Sequence, residues 1–504
     1  RSTLFPYTTL FRSRMKLRLL LLLCLFQWSF SCFSVQAETT PVVYYGKVLS
    51  GGKGVANVPV TDGTQIVLTD NKGRYSMTST SDAEYIYITL PDGYDVPMKG
   101  KVPVFFQKVP AQPSKKVHFD FELTQSSTNN QKHVLVVWAD PQVYFDEEMP
   151  QVREASKDVK ELLATSYQGI PAYGIVCGDI IGDINKKPSY FAPMIDAIAE
   201  TEIPFFYVIG NHDLDLNVRS NEHARTTYKS YYGPTYYSFN RGNVHYVVLD
   251  DIFFIAKSYL YVGYLTEQQL QWLEQDLKQV TPGSTVVVAT HIPTYSREAR
   301  RKEWGKESTM KVMNNRSHLY ELLKPYNAHI MSGHEHYNEN YVLADNLYEH
   351  VHAPLSTLFW QAPWACDGTP GGYAVYEFDG GKVNWYYKCV GKDKDYQFEL
   401  YPVGASRNKK EAVVANVWNY DPTWKVKWYE NGIDRGEMTR FSGYDPAIYE
   451  YCDKNSSTFK HKYLGADITE HLFYAVPEMK DSEIRVEVTD HCGNVYTRKM
   501  QQPK

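Results

Sequence analysis

AHIMSGHEH, residues 328–336, begins as an apolar run and ends in two histidines, His334 and His336, one residue apart behind a glycine. Alone, such a pair reads as a strand end with two hydrogen-bonded imidazoles. The same layout recurs upstream. HVLVVWADPQ (133–142), AYGIVCGDIIGD (172–183), PFFYVIGNHD (204–213), NVHYVVLDD (243–251) and STVVVATHIP (284–293) are apolar runs that each end in polar residues. Strands covered on both faces read as such continuous runs. Helical patterns lie between several of them: TEQQLQWLEQDLKQV (266–280) has a Thr266-x-x-Gln269 capping box, with Leu270, Leu273, Leu277 and Val280 at helical spacing. Strands alternating with helices point to an α/β layered fold, in which ligands gather beyond the carboxyl ends of the strands. One edge therefore collects Asp140, Gln142, Asp179, Asn211, His212, His291, His334 and His336.

A chain of 504 residues has room for roughly three domains at ~150 residues each. Its net charge of −5 argues against nucleic acid as the main partner, because binding a phosphate backbone needs a basic surface. Residues 1–14 precede the first methionine, Met15, and resemble translated adaptor or vector sequence, so they are set aside. Residues 15–37 read as a secretory signal peptide: Lys16 and Arg18, an apolar stretch from Leu19 to Phe26, and an A-x-A-like Val35-Gln36-Ala37. The apolar stretch is short of the ~20 residues a membrane span needs, so export to the periplasm or beyond is expected. Cys32 raises lipoprotein anchoring as an alternative, which the preceding Ser29-Phe30-Ser31 fits poorly. Behind the signal peptide five cysteines remain, Cys177, Cys366, Cys389, Cys452 and Cys492, so at least one is unpaired. Cys177 reads as a small core residue; Cys452 with Cys492, and Cys366 with Cys389, are open as bridges in an oxidising compartment.

The chain divides into three globular regions. Residues 41–124 alternate short strand-like runs with the turn signals Asp62-Gly63 and DNKG (70–73), which argues a small β-sandwich. QSSTNNQ (125–131) is a polar linker. The α/β pattern occupies 131–392 and closes with a hairpin around Asp379-Gly380-Gly381. Residues 393–504 return to β patterns, as in SEIRVEVTDHCGNVYT, where Ile484, Val486 and Val488 alternate.

Taken together, DPQ (140–142), GDIIGD (178–183), GNHD (210–213), His291 and GHEH (333–336) resemble the calcineurin-like metallophosphoesterase superfamily, over roughly residues 131–350. The GVANVPVTDGTQIVLTDNKGRYSM register resembles the transthyretin-like sandwiches that precede many exported bacterial enzymes, and the three-part layout fits one exported bacterial family. The resemblance implies a four-layer α/β/β/α sandwich flanked by two small all-β domains. It also implies two divalent metal ions, of manganese, iron, zinc or magnesium, bridged by Asp179. The first would take Asp140, Gln142 and His336, and the second Asn211, His291 and His334. His212 would protonate the leaving alkoxide. Such a pair of cations neutralises phosphate charge and activates a water for in-line attack, so the expected substrate is a small-molecule phosphomonoester or phosphodiester. Because successive strand residues face opposite ways, a bend must turn both His334 and His336 inward.

Two departures stand out. Gln142 replaces a common histidine with a weaker amide ligand, and Asp183 lies one residue beyond the usual spacing, which puts its orienting of His212 in doubt. Asp213 is read as a cap on the following turn. His350 and His352 are read as non-ligands, REARRKEWGKE (297–307) as a solvated helix face, and LFWQAPWACDG (358–368) as a lid or wall. The competing reading is a phosphoesterase-fold protein without turnover, whose β domains hold a cell-surface glycan, lipid or protein partner.

Overall fold

A computed structural model describes residues 41–80, 82–256, 260–479 and 481–501. The vector-like stretch, the signal peptide and Cys32 lie outside the described residues.

Two sheets form the centre. The first orders Phe205–Tyr207, Ala172–Val176, Lys132–Trp138, Gly372–Asp379 and Lys382–Cys389. Its first three strands run parallel and the last two form the antiparallel hairpin expected around Gly380. The second orders Tyr237–Arg241, Val244–Val248, Thr285–Ala289, Asn327–Ser332, Leu347–Val351 and Glu339–Ala344, parallel inside with an antiparallel strand at each edge.

Side chains alternate across a strand, so each inner strand serves two cores. Val134, Val136 and Trp138 pack on Val152, Ala155 and Val159 of the helix Met149–Ser166. Leu135 and Val137 face the other way, toward Val287, Ala289 and Met331 of the second sheet. Val286, Val288 and Ile330 in turn pack on Leu270 and Leu273 of the helix Glu267–Leu277 and Leu319 of Arg316–Leu323. The layers are therefore helix, sheet, sheet, helix. The unbroken apolar runs follow, because neither face of an inner strand meets water. At the start of Glu267–Leu277 the Thr266 side chain accepts from the Gln269 amide. The Gln269 side chain brackets the Asp250 backbone, accepting from its N–H at 3.0 Å and donating to its carbonyl at 2.8 Å. Only half of the expected capping box forms.

Two β regions flank this core. At the N-terminal side Val42–Ser50 pairs with Arg74–Ser79, Lys116–His118 and Phe121–Glu122, beside a second sheet centred on Pro59–Thr61 and Tyr85–Ile88. Its apolar residues Val60, Tyr87 and Phe105 join one continuous cluster with Phe206, Tyr237 and Phe239 of the central sheets. At the C-terminal side two four-stranded sheets enclose a core of their own around Phe398, Val413, Trp424 and Val486. That region also holds a helix, Pro446–Asn455, which the β reading missed; Asp445 caps it through the Ala447 and Ile448 amides, and proline opens its first turn. All five cysteines among the described residues are free, so neither bridge left open by the sequence forms, and Cys177 is buried in the core.

Candidate metal centre

The candidate residues leave their strands within a few positions of the last paired residue: Asp140 after Trp138, Asp179 after Val176, Asn211 after Tyr207, His291 after Ala289, and His334 after Ser332. Five of them bend sharply. Asp140, Gln142, Asp179, His334 and His336 have φ of 45°, 32°, 50°, 68° and 62°, a region that side-chain-bearing residues seldom adopt. The left-handed turns at His334 and His336 are the bend that brings both imidazoles to one side. Glycines permit the close approach: a Cβ on Gly333 would lie 2.3 Å from Asp140 Oδ2, and one on Gly178 2.5 Å from His291 Nδ1.

All eight side chains meet at one end of the two sheets. Asp179 Oδ2 accepts from Gln142 Nε2 at 2.9 Å and lies 3.4 Å from His291 Nε2. His291 Nε2 is 3.0 Å from Asn211 Oδ1 and 3.2 Å from His334 Nδ1. His336 Nε2 is 3.5 Å from Asp140 Oδ1. Donor atoms of Asp179, His291 and His334 lie within 4.8 Å of one another, and all three residues are buried. The set fits a pair of divalent cations. Gln142 Oε1 is buried without a hydrogen-bond partner among the described residues, which costs free energy unless something else satisfies it. The far nitrogens are spoken for: His291 Nδ1 meets the Cys177 carbonyl at 2.8 Å, and His334 Nε2 the Met310 carbonyl at 3.0 Å. Each imidazole thereby turns its other nitrogen inward, as metal-binding histidines do.

The electrostatics agree. Burial pushes the Asp179 carboxyl up, but His291, His212 and the hydrogen bonds to it outweigh burial and hold it well below the usual range. Burial opposes charge on His291 too, yet Asp179 and Asp140 raise it to about 10. Burial, with Lys311 and His291, holds the His334 imidazole well below its usual range. The pocket thus attracts positive charge, and a bound cation would displace the proton from His291.

His212 sits beside this cluster. Its backbone N–H donates to Asp179 Oδ1 at 2.8 Å, and its Nδ1 meets the Gly182 carbonyl at 2.6 Å. The Gly182 carbonyl meets the ring at Nδ1, and the Asp183 carboxylate lies 3.1 Å from Lys186 Nζ. Asp213 does more than cap its own turn: its carboxylate accepts from Gly210 N at 2.9 Å and from Ile180 N at 3.1 Å, tying the loop of Asn211 to that of Asp179. Burial, with Asp179 nearby, raises it to about 8. Sequence reasoning missed Asp251, which accepts from the His291 and Ile292 amides at 3.2 and 3.0 Å and sets the loop of His291. Burial raises it to about 7. The only signal for it was the second aspartate at the end of NVHYVVLDD.

The site opens into a cleft of about 350 Å³ lined by Lys302, Lys311, Glu335, Phe359 and Tyr463, among others. REARRKEWGKE is solvated only in part: Arg300 and residues 302–307 are exposed, whereas Glu298 and Arg301 are buried. Its helix Glu298–Arg301 is short, Arg301 is buried, and Lys302 pairs with Glu298 at 2.9 Å and with Asp467 of the C-terminal region at 2.8 Å. From LFWQAPWACDG, Leu358, Phe359 and Cys366 line the cleft as part of its wall. His350 and His352 lie in the core; His350 bonds His329 and Asn340, and His352 the Ser332 carbonyl and Tyr376.

Three family models match the chain. They are the N terminal of Calcineurin-like phosphoesterase over residues 43–126, Calcineurin-like phosphoesterase over 136–338, and the C terminal of Calcineurin-like phosphoesterase over 349–496. No curated protein matches it. Similar solved structures include a purple acid phosphatase from yellow lupin (Lupinus luteus) seeds, with 15% identity over 70% of this chain and 67% of that one at a TM-score of 0.38. A dimetal phosphatase from Danio rerio is similar over 51% of this chain and 99% of its own, with 13% identity and a TM-score of 0.34. A 5'-nucleotidase from Candida albicans matches over 53% and 54%, with 13% identity and a TM-score of 0.33. With its central, N-terminal and C-terminal parts each matched in order, the chain belongs to the calcineurin-like phosphoesterases.

Proposed function

We propose that the protein is an exported, dinuclear-metal-dependent hydrolase of small-molecule phosphomonoesters or phosphodiesters. The observation that carries this reading is the convergence of two buried carboxylates, two amides and three inward-turned imidazoles, with Gln142 Oε1 unsatisfied among the described residues. Asp140, Gln142 and His336 would hold one cation, Asn211, His291 and His334 the other, with Asp179 between them. Mixed carboxylate, amide and imidazole donors suit manganese, iron, zinc or magnesium. When bound, the two cations supply the charge that offsets the phosphate oxygens and activate water for attack.

The chain's own residues do the rest. His212, whose Nδ1–H is held by the Gly182 carbonyl, would give a proton from Nε2 to the departing oxygen in its imidazolium form, returning to the neutral ring as it does so. Lys302 and Lys311 line the cleft that would receive an anionic ester, each already paired with a carboxylate there. Asp213 and Asp251 hold the loops in register. Export rests on the signal-peptide pattern of residues 15–37, and amino-terminal sequencing of protein from the culture medium or periplasm tests it: a mature chain still beginning at Met15 would refute cleavage.

The direct test is hydrolysis of p-nitrophenyl phosphate and bis-p-nitrophenyl phosphate by protein stripped of metal and reloaded with manganese. Turnover should require the metal and fall by at least about 10³-fold in Asp179→Asn, the scale of losing a group that acts only in the transition state. Metal-independent turnover, or full activity in Asp179→Asn, refutes the reading.

A further inference from the structure

The cleft has two unlike walls. One is polar and nearly charge-matched: Lys302 lies between Glu298 and Asp467, and Lys311 is 3.9 Å from Glu298. The other is aromatic. The Phe359 ring is 4.9 Å from that of His336 and 5.7 Å from that of Tyr144, and Tyr144 in turn meets the His212 ring edge-on at 6.2 Å. This wall therefore runs from a candidate ligand to the candidate proton donor. At its mouth stands Tyr463 from the C-terminal region, 73% exposed and perpendicular to Phe359 at 6.1 Å.

A single exposed tyrosine needs no explanation on a protein surface. Here three further observations bear on it. Tyr463 and Phe359 line the same cleft as the candidate ligands. Phe359 and Trp360 have φ of 49° and 61°, which is unfavourable for bulky residues and typical of functional segments. That conformation is also held in place: the Trp360 indole donates to the Pro141 carbonyl at 2.9 Å and Ser356 Oγ to the Asp140 carbonyl at 2.7 Å. The segment is fastened to the loop of Asp140 and Gln142 while Phe359 projects into the cleft.

We infer that Phe359 and Tyr463 form a leaving-group subsite for phosphate esters whose alcohol carries a planar ring, a chemistry shared by aryl esters and nucleoside monophosphates. The inference rests on the phosphoesterase reading. A ring laid along this wall would contact Phe359 and Tyr463 while its ester oxygen stays beside His212. A ring-free alcohol of similar charge leaves both aromatics in water.

The test separates ring recognition from turnover. Calorimetry on the full, manganese-loaded chain compares phenylphosphonate with methylphosphonate, neither of which has an ester bond to cleave. Phenylphosphonate should bind about tenfold more tightly, the scale of one stacking contact. Tyr463→Ala should abolish most of that preference, and Tyr463→Phe should keep it. Equal affinities in the wild type, or a preference unchanged in Tyr463→Ala, overturn the inference. In turnover, kcat/KM for phenyl phosphate and adenosine 5'-monophosphate should fall about tenfold in Tyr463→Ala while that for glycerol 2-phosphate holds. A fall confined to phenyl phosphate identifies aryl esters as the occupant, a fall in both any planar ring, and an equal fall in all three overturns the subsite. Phenyl-selective binding without hydrolysis of any ester would leave the subsite standing and refute the phosphoesterase reading.

Discussion

At Gly333 a methyl group would stand 2.3 Å from Asp140 Oδ2, and at Gly210 one would stand 2.0 Å from the backbone nitrogen of Asp179. Neither clash is with a flexible side-chain end free to move away, since Asp140 also accepts from the His334 amide at 2.9 Å. Gly333→Ala should therefore destabilise the protein by ~1–3 kcal/mol and lower its metal content. Thermal melts with and without manganese, beside elemental analysis, check both. A second residue-scale prediction concerns pH. Burial holds His133 and His329 down to about 4, against an ordinary 6.5. Below pH 6.5 the unfolded chain takes up protons that the folded chain refuses, so stability is full above 6.5 and is lost as pH falls toward 4. Each histidine costs at most about 3 kcal/mol over that window. Denaturation of metal-stripped protein at pH 7 and 4.5 measures the drop, which should be smaller in His133→Asn. At this scale the sequence was informative where chemistry is carried by unusual side chains at strand ends. It marked Asp213 as no more than a turn cap and passed over Asp251, although both accept from backbone amides of neighbouring loops.

The element that matters most beyond the strand ends is the short helix Glu298–Arg301. Arg301 pairs with Glu339, lies 3.8 Å from Glu335, and stacks on Tyr337 at 4.1 Å. Glu335 stands between His334 and His336, and the Ser296 hydroxyl donates to it. Arg301→Met should leave two buried carboxylates without their cation, at a cost of ~3–5 kcal/mol, and loosen the loop that carries both histidines. Melting temperature and manganese affinity should fall together; a stable variant with unchanged affinity would show that the pair does not hold the loop. A run of cations at irregular spacing looks solvated in one dimension. Only folding shows that, besides the local Glu298, its acidic partners come from Glu335, Glu339 and the C-terminal region.

Across the whole molecule, the three regions are not independent modules. Phe105 of the N-terminal region packs on Tyr237 at 4.8 Å within a core shared with the central sheets. The C-terminal region is joined by polar bonds: Asn338 Nδ2 donates to the Trp418 carbonyl at 3.0 Å, and His471 lies 3.1 Å from Asp367. Its Asp467 reaches the cleft. Calorimetry should accordingly show one dominant unfolding transition, with the N-terminal β region unfolding together with the sandwich, because a continuous apolar core cannot open by halves. A separate low-temperature transition for residues 41–124 would contradict this.

The sequence by itself determined the layered α/β class, through apolar runs that fit doubly covered strands and alternate with helical patterns. It also determined the order of the candidate ligands, since each follows its strand within a few residues. Tertiary structure alone decided the rest: the left-handed turns that aim both His334 and His336 inward, the aspartates that hold the ligand loops, the fate of the basic helix, and the aromatic wall completed by Tyr463. Those features depend on contacts between segments far apart in the chain, and no local period or spacing encodes such a contact.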